Sequence, residues 1–191
     1  MELAEQQILS KQKEVGRSVS EIVVLLSFSM LFATMMFGYV AFRLTSEAWP
    51  PMGLERVSLT LPLLSTFIIL LSSFTLKKCC DQRQSQTAKA WLWSTIVLGT
   101  AFMAVQTYFW FDLEAKGYVA GEGIFQSVLY ALTWTHAAHI VFAVAALFFL
   151  FPALGERGLE KDYAGRVSFV SKFWHFLDVI WLILFFSLFI W

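Results

Sequence analysis

The chain has 191 residues, and its 58% apolar and 15% charged fractions exclude an ordinary soluble domain, in which about 45–50% apolar and about 25% charged residues are usual. Lysine plus arginine and aspartate plus glutamate number 14 each, so no basic excess favours a nucleic-acid partner. The two cysteines, Cys79 and Cys80, are adjacent and form neither a disulfide framework nor a spaced metal motif.

Five long apolar runs, separated by charged blocks, predict an all-α integral membrane bundle of five transmembrane helices. Each run has the roughly 17–25 residues, or more, that cross the hydrocarbon as a helix. The runs are continuous rather than alternating, which favours helices over barrel strands. A polar arm, residues 1–21, comes first, and it is not a signal peptide because the following run is too long and lacks a cleavage site. Residues 22–191 form one transmembrane domain, with predicted spans at about 22–44, 58–76, 90–111, 124–151 and 169–191.

Ser18, Ser20 and Glu21 indicate a helix start just before the first span. Lysine and arginine number 11 in the N-terminal arm and the connections after spans two and four, against 3 on the opposite side. Because basic residues concentrate on the cytoplasmic side, the N-terminus is predicted to be cytoplasmic and the C-terminus outside.

Four ionisable side chains lie inside the predicted spans, where each costs several kcal/mol unless it is satisfied. His136 and His139 share one face of the fourth span, and His175 and Asp178 share one face of the fifth. At about 1.5 Å per residue, His139 and Asp178 reach similar depths of roughly 15–20 Å, so the two faces could meet. Gln106, in the third span, could join them.

Three interpretations of this polar cluster remain open. Three imidazoles and a carboxylate suit a zinc, iron or copper site. Buried His and Asp also suit a proton relay. The third interpretation is a hydrogen-bonded clasp between spans four and five. Serine and threonine elsewhere in the spans are expected to bond their own backbone or lie at helix contacts.

Several strings resemble subunit III of the haem–copper terminal oxidases. The most specific runs from Phe173 to Trp181 and is similar to the family's aromatic-W-H-F-x-D-x-x-W, and H-A-A-H at residues 136–139 resembles its H-G-x-H. The third span keeps a G-x-x-F-x-x-x-Q, and the loops resemble a W-P-P-x-G and a D-G-x-aromatic-G-S string. The signature positions outside the polar cluster are Trp49, Pro50, Pro51, Gly53, Gly99, Phe102, Glu122, Gly123, Ser127, Trp174, Phe176 and Trp181.

The resemblance covers residues from about 20 to the end and is closest to the short, five-helix bacterial forms. Two departures stand out, since family members often have a carboxylate where this chain has Met30 and another where it has Phe109. The resemblance therefore does not carry over to this chain a proton-handling role tied to those carboxylates.

The resemblance implies an accessory, non-redox subunit of a cytochrome c oxidase-type complex in the bacterial cytoplasmic membrane. Haem and copper are then expected in partner subunits, and this chain is expected to have no catalytic, cofactor-binding or metal-binding residues. Its expected partners are catalytic subunit I, other oxidase subunits and phospholipids, and the complex could join a larger respiratory supercomplex. Its expected roles are to stabilise subunit I, bind lipids and support proton uptake. The alternatives are an accessory subunit of a quinol oxidase or nitric oxide reductase, and a free-standing membrane metalloprotein or transporter that uses the His/Asp cluster.

Overall fold

The computed structural model describes residues 2–47, 49, 57–82, 87–151 and 161–191, without the side chains of residues 2–4, 6–8, 10, 13 and 161–164. The described residues form five α-helices and no strand. The helices are α1 (Glu2–Thr45), α2 (Thr60–Asp81), α3 (Ala88–Ala115), α4 (Ile124–Phe148) and α5 (Lys161–Phe185), and α5 continues as a π-helical turn, Phe186–Ile190. Each contains a segment long and apolar enough to cross a membrane, so the predicted five-span, all-α architecture is confirmed.

The helix ends differ from the ends of the apolar runs. Helix α1 already begins at Glu2, so the start expected near Ser18 is wrong. Helix α5 begins at Lys161, before the apolar run that starts near Phe169, and α4 ends at Phe148 rather than at Phe151. Hydropathy marks where the chain meets hydrocarbon, whereas backbone hydrogen bonds continue a helix into polar sequence that contains no proline.

The chain divides into two compact units, Met1–Gly38 and Tyr39–Trp191. The first unit is helical, and several of its hydroxyls donate to carbonyls one turn earlier, as Ser27 does to Val23 (2.8 Å) and Thr34 to Met30 (2.8 Å). The second unit contains the candidate site.

Four helices of the second unit pack as a closed ring. Helix α2 contacts α3, α3 contacts α4, α4 contacts α5, and α5 returns to contact α2. The interior is filled by fully buried side chains, among them Ile69, Leu92, Leu132 and Leu177. Because lipid is as apolar as these side chains, close packing and interhelical hydrogen bonds are what hold such a ring together.

A hydrogen bond ties the end of α1 to the π-helical turn. Tyr39 is buried, and its hydroxyl donates to the carbonyl of Ser187 at 2.6 Å. A π-helical turn pairs residues five apart, as the Trp191 N–H does with the Phe186 carbonyl at 2.9 Å. The next carbonyl in this turn, that of Ser187, accepts its hydrogen bond from the Tyr39 side chain.

Candidate functional site

Three rings from three helices meet at the centre of the ring of helices. His136 of α4 is fully buried, with its ring centroid 5.4 Å from Trp181 of α5 and 6.1 Å from Phe102 of α3. Phe102 and Trp181 also contact each other edge to face, at 5.1 Å and 89°. Edge-to-face ring pairs of this kind stabilise beyond the area that they bury, by about 0.5–1.5 kcal/mol each. The signature strings of α3, α4 and α5 therefore converge on one aromatic–histidine core.

Gly99 of α3 leaves room for the Trp174 ring of α5. A Cβ atom at Gly99 would lie 2.7 Å from Cη2 of Trp174 and 3.2 Å from Cγ2 of Val144. Trp174 is fully buried, so its ring has no open space into which it could move. A glycine three residues before Phe102 is thus required by the indole on the facing helix.

The α5 signature forms three side-chain hydrogen bonds to α2. Trp174 Nε1 donates to Ser72 Oγ at 3.1 Å, and Trp181 Nε1 donates to Thr66 Oγ1 at 2.9 Å. The third joins His175 Nδ1 to Ser73 Oγ at 2.9 Å. These bonds fix the register of α5 against α2 over two turns.

Sequence reasoning expected such hydroxyls to bond their own backbone or to lie at helix contacts, but it did not identify these three partners. Thr66 and Ser72 do both. Thr66 Oγ1 donates to the Pro62 carbonyl at 2.7 Å and Ser72 Oγ to the Ile69 carbonyl at 2.7 Å. A hydroxyl that donates still has two lone pairs, and the indole N–H groups use them. The available signal was the spacing, since two tryptophans seven residues apart face hydroxyls six residues apart on a neighbouring helix.

His175 and Asp178 lie together, as their i, i+3 spacing predicted. His175 Nδ1 is 3.7 Å from Asp178 Oδ2, beyond hydrogen-bond distance. The His175 side chain is 43% exposed, whereas that of Asp178 is 6% exposed. Neither carboxyl oxygen of Asp178 accepts a hydrogen bond from the described part of the chain.

The remaining members of the predicted polar cluster have separate surroundings. The Nδ1 atom of His139 is 2.6 Å from the carbonyl oxygen of Thr135, one turn earlier in its own helix. Gln106 is buried, and its Nε2 forms no hydrogen bond within the described ranges. Phe176 is half-buried. Across the residues that the structure describes, no three His, Cys, Asp or Glu side chains lie close enough together to hold a metal ion.

The structure describes only some residues of the two loop signatures. Trp49 contacts Phe125 edge to face at 4.9 Å and Tyr39 at 5.7 Å, whereas Pro50, Pro51 and Gly53 lie outside the described residues. Glu122 is exposed.

The other loop string leads directly into α4. The carbonyl of Gly123 accepts the first backbone bond of α4, from Ser127 N at 3.0 Å. A Cβ at Gly123 would collide with Oε1 of the buried Gln126, so a larger residue would displace that amide.

A pocket of about 330 Å³ opens at the end of α1 and the π-helical turn. It is lined by Arg43 and by the aromatic and aliphatic side chains Trp49, Val57, Leu59, Phe125, Leu188, Phe189, Ile190 and Trp191. The Arg43 guanidinium donates to the Tyr39 hydroxyl at 3.1 Å and to the Trp191 carbonyl, and lies 4.5 Å from the Trp191 ring centroid. A cation held among aromatic rings at a helix end is typical of a membrane interface.

Residues 10–191 match the protein family described as cytochrome c oxidase subunit III. The chain belongs to that family. It is 29% identical to a cytochrome c oxidase subunit 3 of Thermostichus vulcanus over 180 residues, which cover 91% of this chain and 87% of the relative. It is 30% identical to a probable quinol oxidase subunit 3 of Staphylococcus saprophyticus, with 83% of this chain and 78% of the relative covered. A cytochrome c oxidase subunit 3 of Bacillus subtilis is 29% identical, with 82% and 77% covered.

Membership of the subunit III family makes the chain part of an oxidoreductase complex with other oxidase subunits. Its five apolar helices make it a multi-pass membrane protein. The resemblance inferred from the sequence strings is therefore confirmed.

The two positions without the expected carboxylates carry apolar side chains. Phe109 is buried, with its ring centroid 5.6 Å from that of Phe189. Met30 is 70% exposed. Phe109 completes an aromatic contact between α3 and the π-helical turn, so a phenyl ring occupies the volume that a carboxylate would need.

Proposed function

We propose that this subunit III is an accessory, non-redox subunit of a haem–copper respiratory oxidase in the bacterial cytoplasmic membrane. It packs on catalytic subunit I, whose haem and copper oxidise cytochrome c and reduce oxygen. The match to the family over residues 10–191 is the observation that carries the proposal.

The packing of the ring of helices supports a structural role for the polar cluster. A haem needs axial ligands on facing helices and room for a macrocycle. Here Phe102 and Trp181 both pack against His136 and against each other, and Ser73 engages His175. We therefore propose that His136, His175 and Asp178 stabilise the helix ring rather than bind a cofactor. The described side-chain hydrogen bonds of the α5 signature run to α2, whereas the predicted clasp joined spans four and five.

The Arg43 pocket supports the proposed lipid binding. Its volume falls at the lower end of the usual range for ligand pockets, about 300–1,000 Å³. A guanidinium beside apolar and aromatic walls suits a phospholipid, whose phosphate is anionic and whose chains are apolar. Support of proton uptake is proposed for the assembled complex and does not involve carboxylates at positions 30 and 109, where this chain has Met30 and Phe109.

The proposal is tested by removing this chain from the purified oxidase with detergent and adding it back. We expect the haem spectrum and initial turnover rate to stay near those of the intact complex, while the number of turnovers before inactivation falls. Adding the chain back should restore catalytic lifetime. Loss of the haem spectrum on removal, or an unchanged lifetime, would contradict the accessory role.

A quinol-oxidising complex is the second candidate, because the relatives include proteins named probable quinol oxidase subunit 3 at 30% identity. Steady-state oxygen consumption by the purified complex, with reduced cytochrome c or with a quinol as sole donor, separates the two. Whichever donor sustains turnover identifies the complex, and neither result alters the accessory role.

A further inference from the structure

Asp178 is a buried carboxyl whose two oxygens accept no hydrogen bond from the described part of the chain. Its side chain is 6% exposed, and its Oδ2 lies 3.7 Å from His175 Nδ1, which is too far for a hydrogen bond. A buried carboxylate is stable when hydrogen-bond donors or a close cation compensate for the water that it loses. The surroundings of Asp178 lack this compensation, so they suit a neutral carboxylic acid.

The spacing of the His175 ring from its two partners agrees with a neutral acid. His175 Nδ1 is 2.9 Å from Ser73 Oγ but 3.7 Å from the carboxyl. An imidazolium beside a carboxylate forms a charge-assisted bond, which closes to about 2.7–2.9 Å. The observed geometry is that of a neutral imidazole, which the Ser73 hydroxyl holds by donating to Nδ1.

His175 lies between Asp178 and the polar edge of the helix ring. Its side chain is 43% exposed. The exposed Lys172 precedes it by three residues on α5, and the exposed Lys77 follows Ser73 by four residues on α2. Lysine ammonium groups stay in water or among lipid headgroups, so the aqueous boundary lies about one turn, roughly 5–6 Å, from His175 and Ser73. Water therefore reaches the imidazole, whereas Asp178 is one turn deeper and buried.

Other titratable groups on the surrounding helices do not bond Asp178 within the described ranges. Helix α4 carries His136, whose ring packs on Phe102 and Trp181, and His139, whose Nδ1 lies against its own helix. On α5 itself, Arg166 and Lys172 precede the pair. The last turns of α2 carry Lys77, Lys78, Cys79, Cys80 and Asp81. Helix α3 carries Lys89 near its start and Tyr108, Asp112 and Glu114 towards its end.

We propose that Asp178 is a proton-binding site that exchanges its proton with water through the imidazole of His175. On release, the ring turns from Ser73 to the carboxyl, Nδ1 accepts the proton of Asp178, and Nε2–H gives its own proton to water. The pair then consists of a carboxylate and a neutral imidazole that donates from Nδ1, one proton fewer than before. Uptake is the reverse. Because the site lies within one chain, it goes beyond the proposed function and does not depend on assembly with other subunits.

Infrared spectroscopy of the full chain in lipid nanodiscs detects the proton, because a protonated carboxyl has a C=O stretch that ionised carboxylates lack. At neutral pH we expect such a band, shifted by carbon-13 labelling of aspartate and missing from Asp178→Asn. Asp112→Asn is the matched control and should keep the band, because Asp112 is paired with Lys116 at 2.5 Å.

The absence of the band, its indifference to aspartate labelling, or its persistence in folded Asp178→Asn would each overturn the proposed proton site. If Asp178→Asn does not fold, Asp178→Glu replaces it. That variant should keep a protonated-carboxyl band but lose its sensitivity to aspartate labelling, and a band that stays sensitive would belong to another aspartate.

Transfer of the nanodiscs from water to heavy water tests the route, because exchange of the acid proton shifts the same band. His175→Phe removes the imidazole and should slow the exchange by about 10²-fold or more, the usual contribution of a positioned acid–base group. His139→Phe is the control and should exchange at the rate of the unmodified chain, because His139 Nδ1 lies 2.6 Å from the Thr135 carbonyl of its own helix. Unchanged or faster exchange in His175→Phe, with its folding checked by thermal unfolding, or equal slowing in both variants, would overturn the route through His175.

Discussion

The contact between Gly99 and Trp174 gives a prediction whose sign and size follow from the structure. Gly99→Ala adds one methyl group, which would lie 2.7 Å from a ring atom of a fully buried indole. Ordinary contact begins at 3.4 Å, so the ring or the helix must shift by several tenths of an ångström. Overpacking of this kind typically costs about 1–3 kcal/mol.

Glycine to alanine also favours a helix, by about 0.8–1.0 kcal/mol, and this term must be separated from the overpacking. Gly38 is the control because it also lies inside a helix and a Cβ there meets nothing within 4 Å. Gly38→Ala should therefore stabilise the chain, and Gly99→Ala should be less stable than Gly38→Ala by about 1–3 kcal/mol.

The assay is thermal unfolding of the full chain in mild detergent. For a chain of this size about 1 kcal/mol shifts Tm by about 2–4 °C, so the two variants should differ by about 2–12 °C. Trp174→Phe removes the ring atom that would clash, and in that background Gly99→Ala should cost less. Equal Tm values for Gly99→Ala and Gly38→Ala would refute the tight packing of the Trp174 ring against Gly99.

The remaining predictions concern the core, one hydrogen bond and the orientation. Phe102→Ala should destabilise the chain by about 3–5 kcal/mol in thermal unfolding, because it leaves a cavity beside His136 and Trp181. The control, Phe142→Ala at a 72% exposed position, should change Tm little. Equal Tm shifts for the two variants would contradict the aromatic–histidine core. Thr66→Val leaves the Trp181 N–H without its acceptor and should lower the free energy of unfolding by about 0.6–1.7 kcal/mol. Thr107→Val is the control and should change Tm little, because the Thr107 hydroxyl bonds its own helix. An unchanged Tm for Thr66→Val would refute the contribution of the Trp181–Thr66 hydrogen bond. The orientation is tested in a chain without Cys79 and Cys80, with a single cysteine introduced at Lys116 or at Gln82. A membrane-impermeant thiol reagent added to intact cells should label the cysteine at position 116 and not the one at position 82. The reverse labelling pattern would show the opposite orientation.

The five spans could be predicted from the sequence because a long apolar run has one stable arrangement in lipid. Each predicted span lies largely within an observed helix, and the errors fall at the ends, such as Glu2 and Lys161, where polar residues continue the helix. Composition carries no signal there, since a charged residue is compatible with a helix that projects beyond the hydrocarbon.

Within the candidate site, the neighbours on one helix could be predicted from the sequence, whereas the contacts between helices could not. Spacing placed His175 beside Asp178, because i, i+3 neighbours are fixed by one helix. The bonds from Trp174, His175 and Trp181 to α2 depend on which helices are neighbours, and the pattern within a single helix does not determine that. The aromatic surroundings of His136 are hidden from the sequence for the same reason, since Phe102 and Trp181 come from two other helices.

Mild-detergent purification of the tagged chain, with a reduced-minus-oxidised optical spectrum and identification of the co-purifying chains, tests the central claim most directly. An accessory subunit III should bring down haem bands and a larger haem-bearing catalytic subunit, and the band positions would identify the haem type. A lone, haem-free chain that retains a stoichiometric metal would contradict the account and make the His/Asp cluster an active site.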